Sequence, residues 1–177
     1  MRYFSLFALF LLFSSLFLLS CEGGEKSKVT IQEDNIKTIV LVRHAEKGSD
    51  DPDDPSLLPE GAERAIRLAN HFRDWGFDQI WSTSYKRCVH TVQPLADSSN
   101  QEVMIFTVDN LWEFAQQLKS SETESILICG HSNTNPQLIN YLIEEERYEE
   151  IAASEYDGIY IVMLSNHSKP EVKILRY

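Results

Sequence analysis

Two short apolar runs, "TIVLV" at residues 38–42 and "SILIC" at 125–129, break off into groups that do not belong in a hydrophobic layer. The first is followed by Arg43 and His44, the second by Gly130 and His131. Apolar runs without polar alternation mark strands covered on both faces, as in a parallel sheet. An ionic group at the tip of such a strand is costly to desolvate unless it is paired. In open α/β sheets, ligands bind beyond the carboxyl ends of the strands. The repeated strand-end histidine therefore points to one site built by two strands.

The rest of the pattern supplies the layers. Strand-like and helix-like stretches alternate, which predicts an α/β fold: a three-layer sandwich with a mainly parallel sheet flanked by helices. After a long loop, a helix is expected from Pro59 with Ala62, Ala65, Ile66, Ala69, Phe72 and Trp75 inward, closing at Gly76. A strand follows at 77–82, then a helix from about Ser84 with Tyr85, Cys88, Val89 and Val92 inward, which Pro94 should kink or end. Residues 102–106 read as a strand, and Leu111, Phe114, Ala115 and Leu118 as one face of the next helix. Asn135 and Pro136 look like the cap and first turn of a helix through Leu142, and 157–164 with 171–177 like a closing hairpin. The acidic runs "DDPDD" and "EEERYEE" read as a solvated loop and a solvated helix end, without calcium-loop spacing.

Residues 1–20 do not fit this domain. A basic Arg2, a long Leu/Phe run and Ser20 before Cys21 have the form of a secretion signal. "LLSC" is similar to a lipobox, so Cys21 is expected to carry a lipid; an uncleaved membrane anchor is the other reading. The expected organisation is a lipoprotein signal peptide at 1–20, a flexible tether at 21–35 and one domain at 36–177, held at the bacterial cell envelope by lipid on Cys21. A net charge of −11 repels nucleic acid and anionic headgroups, so no nucleic-acid partner is expected and attachment falls to the lipid. Cys88 and Cys129 are expected as two buried thiols, and the domain as a monomer.

Arg87, in "STSYKR", opens a helix after the 77–82 strand, where a helix N-terminus already favours anions. Arg43, His44, Arg87 and His131 thus gather on one side of the sheet. Two guanidiniums and two imidazoles suit a dianionic phosphoryl group, on a small molecule or a phosphoprotein.

"LVRHAEK", "STSYKRCVHT" and "CGHSNT", in that order, resemble the core motifs of the histidine phosphatase superfamily, which includes phosphoglycerate mutases. The likeness runs from about residue 37 to the last strand. "PEGAERAIRLA" resembles the family's first helix, although Leu58 stands where a threonine or serine cap is usual, and "EYDGIYIVML" resembles small bacterial members. The resemblance implies a phosphomonoesterase in which His44 attacks phosphorus and forms a phosphohistidine, with Arg43, Arg87 and His131 stabilising the equatorial oxygens. It implies no cofactor and no metal. The proton for the leaving group would come from Glu113 in "NLWE", with Glu46 as the alternative. The stretch between His44 and His131 leaves no room for the lid of larger members, so the pocket should be open. A silent lipoprotein that binds an anionic ligand, or a phosphohistidine phosphatase acting on protein, are the other functions open to this sequence.

Overall fold

The computed structural model describes residues 35–177. The expected signal peptide, Cys21 and all of the expected tether except residue 35 lie outside the described residues. Six strands form one mixed sheet: β1 (Lys37–Arg43), β2 (Gln79–Ser82), β3 (Val103–Ile105), β4 (Ser125–Gly130), β5 (Gly158–Leu164) and β6 (Glu171–Arg176), in the order β3-β2-β4-β1-β5-β6. Neighbours from β3 to β1 are parallel, and β5 and β6 close the sheet antiparallel. The α/β sandwich expected from the sequence is what the chain forms.

Alternate residues of the central strands feed two cores, which is why those strands read as unbroken apolar runs. Val40 and Val42 of β1, with Leu127 and Cys129 of β4, pack beneath α1 (Pro59–His71) and α2 (Lys86–Ser99). Ile39 and Leu41, with Ile126 and Ile128, pack beneath α3 (Leu111–Ser120) and α4 (Thr134–Ile143). The same parity sends Arg43 to the α3–α4 side. Arg43 pairs with Gly130 as the last rung between β1 and β4, so the sheet carries the site's first cation.

Three local expectations are corrected. Helix α1 buries Gly61, Ala65 and Leu68, with Phe72 at its C-cap, while Ile66 is 54% exposed and Trp75, beyond the helix, 40% exposed. A Cβ on Gly61 would lie 2.3 Å from the Glu46 carbonyl oxygen, so this close approach turns the glycine inward and Ala62 and Ile66 outward. Helix α2 runs on through Pro94 to Ser99. Proline removes only the bond to the His90 carbonyl there, and burial of Leu95 and Ala96 outweighs that loss. "EEERYEE" is not a helix end: α4 stops at Ile143, Glu144 adopts a left-handed conformation with φ 57°, and residues 144–157 run as an irregular strap.

Candidate active site

β1 and β4 are adjacent and parallel, so the residues after them emerge side by side. The His44 amide donates to the Gly130 carbonyl at 3.0 Å, extending the ladder one residue beyond the strand. Its ring lies with its centroid 5.5 Å from that of His131. His44 Nδ1 is 2.8 Å from the Ala45 carbonyl oxygen, which can only accept, so Nδ1 carries the proton and Nε2 keeps a lone pair. Burial is the largest influence on this imidazole and takes its pKa down to about 4; the Ala45 carbonyl opposes that, while His131, Arg43 and Arg87 add to it. A neutral, oriented imidazole is what a nucleophile at phosphorus requires.

Arg43 is 7% exposed, and its Nη1 donates to the carbonyls of Ala152 (2.9 Å), Ala153 (3.1 Å) and Glu155 (2.9 Å). Its guanidinium also sits 4.3 Å from the ring centre of Tyr156. Arg87 projects from the first turn of α2 over Tyr85, with Nη2 3.5 Å from His131 Nδ1. Thr83 Oγ1 meets His131 Nε2 at 3.1 Å, and Thr134 Oγ1 accepts from the His131 amide at 2.9 Å. Thr91 links the halves: its hydroxyl accepts from the Ala45 amide and donates to the Arg87 carbonyl. The sequence reading did not single out Thr83, Thr91 or Tyr156, because nothing marks a threonine or tyrosine as a site residue before its neighbours are known.

Arg43, His44, Arg87 and His131 line an open cleft of about 350 Å³, with Lys47, Tyr85 and residues 132–134 at its walls. Arg43 Nε, Arg87 Nε and Arg87 Nη1 are buried and find no hydrogen-bond partner among the described residues. Unpaired buried donors on cations are expensive, and a tetrahedral oxyanion between the two guanidiniums would satisfy them. A larger cavity of about 610 Å³ opens at the amino end of β1, but its lysines are already engaged, Lys37 with the Leu118 and Ser121 carbonyls and Lys119 with Glu144. The cleft at the carboxyl ends is therefore the candidate site. Among the described residues, no group of three His, Cys, Asp or Glu side chains could hold a metal ion.

The acid candidates sit apart from the cations. Glu46 is held bidentately by Arg64, with contacts of 2.6 to 2.9 Å, and that bond keeps its carboxyl below the usual range. Glu113 is exposed and lines an adjoining groove with Trp81, Phe106 and Asn110. Asn110, which caps α3, makes no side-chain cap bond, so Glu113 is not locked in a capping box. "DDPDD", read as solvated, does more than that: Asp54 accepts from the Lys86 amide at 2.9 Å and lies 4.0 Å from Arg87 Nη1. Cys88 and Cys129 are free and buried, as expected. Cys88 Sγ donates to the Gly130 carbonyl at 3.5 Å behind the site.

The family model for the histidine phosphatase superfamily (branch 1) matches residues 39–117. Over those residues, fewer than half of the chain, the sequence is similar to that superfamily. The matched stretch holds Arg43, His44, Arg87 and Glu113, and the fold brings His131, the residue after β4, beside the first three of these. Solved structures share the architecture of this chain. The α-ribazole phosphatase of Shigella flexneri superposes with a TM-score of 0.66 at 15% identity, covering 79% of this chain and 96% of that one. The protein histidine phosphatase SixA, complexed with tungstate, gives 0.64 at 15% identity, covering 78% and 96%. Phosphoserine phosphatase from Entamoeba histolytica, in complex with 3-phosphoglyceric acid, gives 0.61 at 17% identity, covering 80% and 97%. No curated protein matches the chain.

Proposed function

We propose that this protein is a metal-independent phosphomonoesterase acting through a phosphohistidine on His44. The observation that carries the reading is a neutral imidazole with a free Nε2 set among buried, unpaired guanidinium donors. Nε2 attacks phosphorus, the ester P–O bond breaks, and the leaving oxygen takes a proton from Glu113, with Glu46 as the alternative. Arg43, Arg87 and His131 hold the equatorial oxygens during the transfer. Water then attacks the phosphohistidine, the P–N bond breaks, and inorganic phosphate leaves.

The substrate is a phosphorylated small molecule or a phosphoprotein. Related folds carry names as different as α-ribazole, protein histidine and phosphoserine phosphatase, so the fold alone does not choose among them. The open cleft admits a bulky leaving group. Lipid on Cys21, motivated by "LLSC" at the end of the apolar run, would place the domain at a bacterial envelope membrane. Cys21→Ser should release the protein from the membrane fraction and abolish lipid labelling; labelling that persists would remove the anchor from the proposal.

The test of activity is hydrolysis of p-nitrophenyl phosphate by the purified protein with EDTA present, followed by a screen of phosphorylated metabolites. A second reading, an anion-binding lipoprotein without turnover, draws on one observation: among the described residues, no carboxylate lines the cleft that holds His44. Phosphate binding without hydrolysis of any ester in the screen would favour it.

A further inference from the structure

We infer that the strap at 146–156 is a positioning device for Arg43, with Tyr156 as its contact and Asn140 as its clamp. This rests on the reading above that Arg43 grips the phosphoryl group. A guanidinium can reach a phosphoryl group from several rotamers, so fixing one of them pre-organises the grip. Arg43 is held in one by groups from the strap alone. Its Nη1 is saturated by the Ala152, Ala153 and Glu155 carbonyls, and the Tyr156 ring lies 4.3 Å from the guanidinium carbon. That ring also stands beside the nucleophile, 6.1 Å from His44 centre to centre. The arrangement leaves Nε buried and without a hydrogen bond among the described residues, on a side chain that lines the cleft.

The strap has no helix or strand of its own, so its shape depends on what ties it down. Asn140, on α4 and 5% exposed, spends its whole carboxamide on it. Its Nδ2 donates to the Tyr148 carbonyl (2.9 Å) and Glu146 Oε2 (3.1 Å), and its Oδ1 accepts from the amides of Arg147 (3.1 Å) and Tyr148 (2.9 Å). Further along, the Ile151 amide donates to the Ser132 carbonyl at 3.0 Å, one residue after His131. One segment therefore reads the position of the β4 loop and sets the arginine of β1. Asn140 acts through the strap and Tyr156 through the arginine; neither is asked to touch the substrate.

The experiment is a double-mutant cycle on the full chain, since a positioning role predicts dependence on Arg43 and a merely structural role does not. Tyr156→Leu should lower kcat/KM for p-nitrophenyl phosphate about tenfold, the scale of a desolvated cation–π contact. Tyr156→Phe, which keeps the ring, should restore most of it. In an Arg43→Ala background, Tyr156→Leu should cost nothing further. If Tyr156→Leu does not fold, Asn140→Ala is read in the same two backgrounds, with Asn140→Asp as its near-isosteric control. Equal losses with and without Arg43, or full activity in Tyr156→Leu, would overturn the inference. Calorimetric binding of inorganic phosphate runs the same cycle without turnover. An inactive wild-type protein that still binds phosphate, with the coupling intact, would defeat the esterase reading and leave the strap's role standing.

Discussion

His44 and His131 stand with ring centroids 5.5 Å apart at the ends of two strands that are neighbours in the sheet but lie far apart in the chain. Their backbones are joined as well, through the His44 amide and the Gly130 carbonyl. The sheet thus sets the spacing of the two imidazoles, each one residue beyond the end of its strand.

His44→Ala should abolish turnover while leaving the fold and much of the phosphate binding intact, because Arg43, Arg87 and His131 remain. Acid-quench labelling with ³²P substrate should find acid-labile, base-stable phosphate on the peptide containing residue 44. His131→Ala should cost roughly 10²–10³ in kcat, as for removal of one preorganised transition-state partner. Label on any other residue would defeat the mechanism.

With the His44 pKa near 4, its imidazole stays neutral well below the ordinary histidine range. The acid limb of kcat/KM belonging to His44 should therefore fall near pH 4, and a limb near 6.5 that moves with mutation at His44 would contradict the burial argument. Stability carries the same signature. A depressed pKa means the unfolded chain takes up the proton first, so the contribution of His44 is complete above about pH 6.5 and is lost as pH falls toward 4, by about 3 kcal/mol at most. Denaturant titrations should show this dependence weakened in His44→Ala.

Glu113→Gln should slow alkyl phosphates far more than aryl phosphates, whose leaving groups scarcely need a proton. Glu46→Gln should act differently. It breaks the bidentate contact with Arg64 and should lower stability by about 1–3 kcal/mol with no preference for leaving group. Leaving-group dependence in Glu46→Gln alone would exchange the two assignments.

Asp54 caps α2 from a distant loop, since Tyr85 at the cap position makes no side-chain bond. Asp54→Ala should lower the melting temperature by an amount matching about 1 kcal/mol, and Asp54→Asn by less. Equal stability in all three proteins would return "DDPDD" to a purely solvated loop.

Gly61→Ala should be among the most damaging single substitutions near the site. Its methyl would meet the Glu46 carbonyl at 2.3 Å, and backbone cannot yield as a side chain can. A loss of more than about 2 kcal/mol is expected, together with loss of activity, because the segment displaced is two residues from His44.

Much of this was legible in the sequence because it is written locally. "TIVLV" and "SILIC" are unbroken because both faces of β1 and β4 are covered, and that pattern needs no knowledge of partners. Arg43, His44, Arg87 and His131 could be named in advance because each follows a strand or opens a helix, and carboxyl ends of parallel strands converge. Which way a helix faces was not legible at α1, where Ala62 and Ile66 fit the apolar period as well as Gly61 and Leu68 do. The approach of Gly61 to the Glu46 backbone decided it. Nor could composition reveal that an acidic stretch after α4 is a strap holding Arg43, because its contacts are made by backbone carbonyls, which every residue has. The sequence by itself determined the layers, the sheet and four of the residues that line the cleft, since periodicity and strand-end placement are local properties. Only the tertiary structure decided the His44 tautomer, the pairing of Glu46 with Arg64 and the hold of Asn140 and Tyr156 on the arginine, because each depends on a distance between segments remote in the chain.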